Sequence, residues 1–130
     1  MQNEPLWLPI EEVIKINREE VSESGENFAL LRRDLLESAL ARPVNHYHYS
    51  SDNDILRLAV ILMLSIAQNH PFEQGNKRTG WTAGMIFMAL NGYEFNWDHE
   101  AVAVEFMKLI QGQITVDRFE EQIYYFIKER

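Results

Sequence analysis

Apolar residues recur every three or four positions along nearly the whole chain, the period of helices that bury one face. Ile10, Val13, Ile14 and Ile16 make a stripe that predicts a first helix from Pro9, a residue suited to the first helical position, to about Val21. The turn-forming run Ser22-Glu23-Ser24-Gly25-Glu26-Asn27 breaks that stripe and reads as a loop. Leu35, Leu36, Ala39 and Leu40 mark the buried face of a second helix over 32–41. Pro43 is expected to stop it, because proline lacks the N–H a helix interior needs. Residues 42–52 then alternate His and Tyr and read as irregular or weakly extended.

Asp52 or Asn53 is placed to cap a third helix that runs to about Asn69. Ile55, Leu56, Leu58, Val60, Ile61, Leu62, Met63, Leu64 and Ile66 leave that helix no polar face, which predicts a central helix surrounded by others. A fourth helix is expected over 76–90, closed by Asn91-Gly92, with Gly80, Ala83 and Gly84 spaced to admit a close neighbour. A short extended piece is expected over 93–97. Asp98 would cap a fifth helix ending at Gly112, and Thr115 a sixth whose stripe is Phe119, Ile123, Phe126 and Ile127, with Ile114 and Phe119 as a hydrophobic staple. The pattern predicts an all-α fold, a bundle of about six helices around a buried centre.

Composition narrows the function more than the fold. With 130 residues the chain is expected to form one domain over 1–130. Its formal net charge of -8 disfavours a general nucleic-acid binder, so a phosphate ligand needs a local basic cluster. Having no cysteine, the chain makes no disulfide, thiolate metal site or cysteine nucleophile. Met1-Gln2-Asn3-Glu4 lacks the basic start of a secretory signal, and the apolar run between Arg57 and Ser65 is too short to span a bilayer. The expected compartment is the cytosol, with no membrane partner.

One segment departs from core logic: His70-Pro71-Phe72-Glu73-Gln74-Gly75-Asn76-Lys77-Arg78-Thr79-Gly80. It links the apolar third helix to the fourth. His70 is of the type suited to moving a proton at neutral pH. Gly75 permits a turn whose successive N–H groups point one way, and Asn76 opens a helix whose first N–H groups are free donors at the positive end of the dipole. Lys77 and Arg78 oppose that dipole unless an anion is bound there. The segment therefore reads as an anion site beside a general base, the layout for moving a phosphate-bearing group onto a hydroxyl. It is not a Walker loop, whose G-x-x-x-x-G-K-[ST] spacing is absent. Taken singly, a histidine at a helix end is a cap, Lys-Arg a solvated face and Gly-Asn a turn; their combination carries the reading.

The segment resembles the signature of the Fic/Doc superfamily, His-x-Phe-x-[Asp/Glu/Asn]-x-Asn-[Gly/Lys]-Arg. It is more similar still to the Doc (death-on-curing) toxins, which carry Asn-Lys-Arg where Fic adenylyltransferases carry Gly-Asn-Gly-Arg-x-x-Arg. Residues 35–43, Asn91-Gly92 and the chain length resemble Doc-like chains too. The resemblance implies a Fic/Doc-like bundle with a small flap before the central helix. His70 would then be the catalytic base, Phe72 the anchor of the loop, Gly75 and Asn76 the turn shaping an anion hole, and Lys77 and Arg78 the phosphate-facing residues. It implies ATP as cofactor, transfer of its γ-phosphate to a protein hydroxyl such as a threonine of elongation factor Tu, and a separate antitoxin as partner. Lysine at 77 fits γ-transfer, since it fills space a glycine leaves for a phosphate. AMP transfer, or a binding module that has lost its chemistry, remain the alternatives.

Two positions depart from the pattern. Trp81 stands where Fic chains carry a further arginine. Gln74 stands where the family holds Mg²⁺ with an acidic residue; an amide oxygen can ligate magnesium but brings no charge. Elsewhere, His46 and His48 have metal-like spacing but no further nearby ligand. Tyr47, His48 and Tyr49 fit the flap that aligns a target chain by strand addition. Ser22-x-x-x-Glu26-Asn27 matches a loose self-inhibition pattern of some Fic proteins. Its partner arginine is missing here, so a plain loop is the preferred reading.

Overall fold

The computed structural model describes residues 4–96, 99–124 and 127–129. Among these, six helices follow in order: α1 (Ile10–Glu23), α2 (Arg33–Ser50), α3 (Ile55–Asn69), α4 (Asn76–Leu90), α5 (His99–Ile110) and α6 (Val116–Tyr124). Two short strands, β1 (Tyr93–Phe95) and β2 (Ile127–Glu129), pair antiparallel with Phe95 opposite Ile127. The fold is thus helical, as the apolar periods predict, with one small two-stranded addition. No described helix is long and apolar enough to cross a membrane.

α3 lies at the centre and touches α2, α4, α5 and α6. Leu58, Ala59, Val60, Met63 and Ile66 on it have no exposed surface. Burying a side chain the size of Leu or Ile contributes roughly 1.5–3 kcal/mol, which is why a helix without a polar face settles here. α4 lies closest to it, and two glycines make that possible. A Cβ on Gly80 would stand 2.6 Å from the Met63 carbonyl oxygen, and one on Gly84 would stand 2.3 Å from Met63 Cγ. The Gly80–Ala83–Gly84 spacing read from the sequence is therefore the seam between α3 and α4.

Three boundaries differ from the sequence reading. α2 does not stop before Pro43; it runs on to Ser50 with Pro43 inside it and buried. The proline costs the helix a hydrogen bond, of the order of 3 kcal/mol in a free helix, but packing and polar contacts hold the turns beyond it. Tyr47 packs edge-on against Trp7 at 5.9 Å, His48 pairs with Glu4, and the Ser50 hydroxyl donates to the His46 carbonyl. Residues 42–50 are therefore helical, not extended, and the flap expected at Tyr47, His48 and Tyr49 is corrected: a helix offers no free strand edge for a target to join.

The cap of α3 is Asp54, whose carboxylate accepts from the Leu56 N–H at 3.0 Å; Asp52 and Asn53 do not serve. Thr115 does cap α6, its hydroxyl accepting from the Arg118 N–H at 3.1 Å, and Phe119 and Ile123 are buried as the stripe predicts. Ile127 belongs to β2 and not to that stripe. Phe126, Trp97 and Asp98 lie outside the described residues.

Candidate active site

α3 ends where His70 takes a left-handed conformation, φ 50° and ψ 53°. Pro71 explains the stop, because the residue before a proline is driven out of the helical region. The turn aims the His70 side chain outward, and it is exposed. Phe72 follows with 2% exposure, its ring 6.3 Å from Phe28, so the loop is nailed to the core two residues past the histidine. Asn76 tightens the same turn: its amide oxygen accepts from the Phe72 N–H at 3.0 Å and its amide nitrogen donates to the Phe72 carbonyl at 2.9 Å. The side chain of Asn76 thus shapes the loop and does not face a ligand.

The stretch after α1 runs antiparallel to this loop. The N–H groups of Leu31 and Arg32 donate to the Pro71 carbonyl at 3.0 Å, and the Glu73 N–H donates to the Ala29 carbonyl at 2.9 Å. From below, Asn17 on α1 holds the loop; it is fully buried, and its amide nitrogen donates to the Gln74 carbonyl at 2.8 Å and to the Thr79 hydroxyl at 3.0 Å. Gly75 caps α4 at φ 73°. A Cβ there would crowd Val21 Cγ1 at 3.1 Å and Asn17 Nδ2 at 3.3 Å, so conformation and space both call for glycine.

The outcome is a loop whose side chains bond inward while its backbone donors stay open. Among the described residues no acceptor meets the N–H groups of Gly75, Asn76 or Lys77. These donors edge a cavity of about 260 Å³ lined by Glu26, His70, Glu73, Gln74, Gly75, Asn76, Lys77 and Arg78. A second space of about 260 Å³, between α1, α4 and α5, shares Lys77 and Arg78 and is walled by Trp81, Phe106 and Met107. Free N–H groups at a helix start together with two cations suit a phosphate. An exposed imidazole on the same cavity suits proton transfer.

Tyr47, His48 and Tyr49 are not brought here. Tyr49 lines a separate hollow with Arg42, Asn45 and His46.

Two further residues bear on this loop that the sequence reading does not assign to it. Glu26, read as loop, pairs with the Arg78 guanidinium. The Ser24 hydroxyl, then Arg78, hold its carboxyl below the ordinary carboxylate value. Asn17 carries a signal in the sequence, a polar residue on the buried face between Ile16 and Val21. Glu26 carries none beyond the loose pattern. As for metal, no three His, Asp or Glu side chains converge among the described residues. At 74 the main-chain carbonyl is engaged by Asn17 and the side chain is a neutral amide. Position 74 therefore offers a divalent cation no negative charge.

Known proteins share this arrangement of sequence. A family model described as Fic/DOC family matches residues 7–88, which includes the whole loop. Over 72 residues the chain is 35% identical to a Toxin Doc of Mycolicibacterium smegmatis (strain ATCC 700084 / mc(2)155), the match covering 55% of this chain and 55% of that protein. The chain therefore matches about half the length of that curated relative.

Proposed function

The chain belongs to the Fic/DOC family, and from that membership we propose that it is a Doc-like toxin that transfers the γ-phosphate of ATP to a Ser or Thr hydroxyl of a protein target. A translation factor such as elongation factor Tu is the expected target, arrest of translation the expected effect, and a separate antitoxin the expected partner. The likeness to a protein named Toxin Doc supports the toxin reading. The observation that carries the choice of γ-phosphate is Lys77. It stands beside open backbone donors on the cavity that His70 also lines. A lysine there narrows the path a phosphate would take past Gly75 and Asn76, and offers its charge to a phosphate held further out, where the chain of the nucleotide ends.

In this reading the N–H groups of Gly75, Asn76 and Lys77 and the two cations hold the terminal phosphate. His70 takes the proton of the target hydroxyl. The hydroxyl oxygen forms a bond to the γ-phosphorus, and the bond to the bridging oxygen breaks, its electron pair leaving with ADP. The phosphate ester stays on the target. Mg²⁺, where it accompanies the triphosphate, neutralises charge on it. Glu26 holds one nitrogen of the Arg78 guanidinium, so it competes with a phosphate for that cation.

Two labelled reactions test the proposal, one with ATP labelled at the γ-phosphate and one at the α-phosphate, each with elongation factor Tu. Label transferred only from the γ-position is expected. Label only from the α-position would place the chain among AMP transferases. Label from neither, with nucleotide still bound, would make it a binding module.

A further inference from the structure

Asn17 does not behave like a residue kept for stability. It is fully buried, yet its amide oxygen meets no donor among the described residues. An apolar residue at 17 would avoid that unmet acceptor. What the asparagine gains is the pair of donations from its nitrogen, to the Gln74 carbonyl at 2.8 Å and the Thr79 hydroxyl at 3.0 Å.

The first of these bears on the proposed phosphate site. In a trans peptide the carbonyl of one residue and the N–H of the next point in opposite directions, and no cis peptide occurs among the described residues. Holding the Gln74 carbonyl down against α1 therefore turns the Gly75 N–H up, away from Asn17. That N–H has no protein acceptor among the described residues, and Gly75 lines the cavity. A flip of this one peptide would reverse both groups. The Gly75 N–H would turn into the protein, and a carbonyl oxygen would face the space where negative charge is to be bound. Glycine at φ 73° is the residue least able to resist such a flip by its own sterics.

We infer that Asn17 is a positioning residue: through the Gln74 carbonyl it locks the Gln74–Gly75 peptide with its N–H facing the anion. This rests on the reading of the loop as a phosphate site, and the second donation, to Thr79 in the first turn of α4, fixes the same peptide relative to the helix start.

The test is amide NMR on the full chain, titrated separately with ATP and with inorganic pyrophosphate, for the wild type and for Asn17→Leu. In the wild type the Gly75 amide proton is expected to move downfield with either ligand. Asn17→Leu is expected to melt somewhat lower, because the Gln74 carbonyl and the Thr79 hydroxyl lose their donor, while remaining folded at the temperature of the titration. ATP affinity is expected to fall roughly tenfold or more, and the Gly75 response to disappear. A variant with wild-type affinity and an unchanged Gly75 response overturns the inference, as does a wild type that binds ATP without moving the Gly75 amide. If pyrophosphate moves that amide but ATP does not bind, the nucleotide reading falls and the positioning role stands. If neither ligand binds, both fall. Should Asn17→Leu fail to fold, Asn17→Ala, which also removes the donor to the Gln74 carbonyl, takes its place under the same criteria.

Discussion

At the N-terminal end of α3 the chain turns through Ser51, φ 59°, and at its C-terminal end through His70, φ 50°, both non-glycine residues in the left-handed region. A histidine lies at each turn, His46 of α2 beside the first and His70 within the second. The first turn gives several of its own N–H groups side-chain acceptors, while those of Ser51 and Ile55 meet none among the described residues. The Asp54 N–H donates to the Asp52 carboxylate at 3.1 Å, the Leu56 N–H donates to Asp54 at 3.0 Å, and His46 pairs with Asp52 at 3.1 Å. The second turn gives Phe72 a side-chain acceptor in Asn76 but leaves three successive donors open at the helix start. Phe72, Asn76 and Asn17 hold the loop from the inside, and the N–H groups of Gly75, Asn76 and Lys77 are left open among the described residues. In the proposed reading, the three adjacent open donors of the second turn, held rigid from the core, are what an anion would use.

The sharpest way to break this contrast is to remove one histidine from each end. His70→Ala is expected to lower transfer by roughly 10²–10⁴-fold, the usual worth of a general base, with the melt unchanged because the side chain is exposed. His46→Ala should leave transfer alone. Equal loss in both variants, measured with γ-labelled ATP, would erase the difference between the two turns.

Lys77→Gly comes next. It removes a charged phosphate contact, worth about 1.5–3 kcal/mol, so γ-transfer is expected to fall roughly 10- to 100-fold. Its kinetics would sharpen the account, because a gain of α-label in this variant would show that the lysine selects which phosphate is presented.

Glu26→Gln acts in the other direction. Freeing Arg78 should raise ATP affinity by roughly two- to fivefold, the modest scale of an exposed ion pair. The carboxyl lies below its ordinary value, so the pair is complete at neutral pH and is lost only as pH falls through that lowered value. Wild-type affinity should therefore show no gain from this pair on mild acidification. Calorimetry on both proteins measures each part, and weaker binding by Glu26→Gln would contradict the competition for Arg78.

The smallest effect belongs to the turn before α3. Burial pushes the Asp52 carboxyl up, but bonds from His46 and the Asp54 N–H outweigh it and leave the value below the ordinary one. That contribution is present above the ordinary carboxylate range and is lost as pH falls through the lowered value. Asp52→Asn is expected to cost under about 1 kcal/mol in a denaturant melt and nothing in transfer.

Much of this contrast is legible in the order of the residues alone. The apolar run from Leu58 to Leu64, flanked by Ile55, Leu56 and Ile66, reads as a central helix, and the spacing of Gly80 and Gly84 as a close approach. The loop from His70 to Arg78 stands out because glycine, two cations and a histidine gather at one helix start. What is not legible depends on contacts distant in sequence. Pro43 reads as a stop in any local rule, and only packing of Pro43 itself, Tyr47 on Trp7 and the polar pairs beyond keep α2 going. The strand-like run beside Pro71 shows no alternation in so short a span. Glu26 meets Arg78 across 52 positions and Asn17 meets Gln74 across 57, distances over which composition and period say nothing.

The most direct measurement is a crystal structure of the chain with an ATP analogue whose β–γ bridging oxygen is replaced by nitrogen. The account predicts the terminal phosphate on the N–H groups of Gly75, Asn76 and Lys77, beside His70, with Arg78 turned from Glu26 to the phosphate. An α-phosphate in that place, or a nucleotide bound elsewhere with Arg78 still on Glu26, would contradict it.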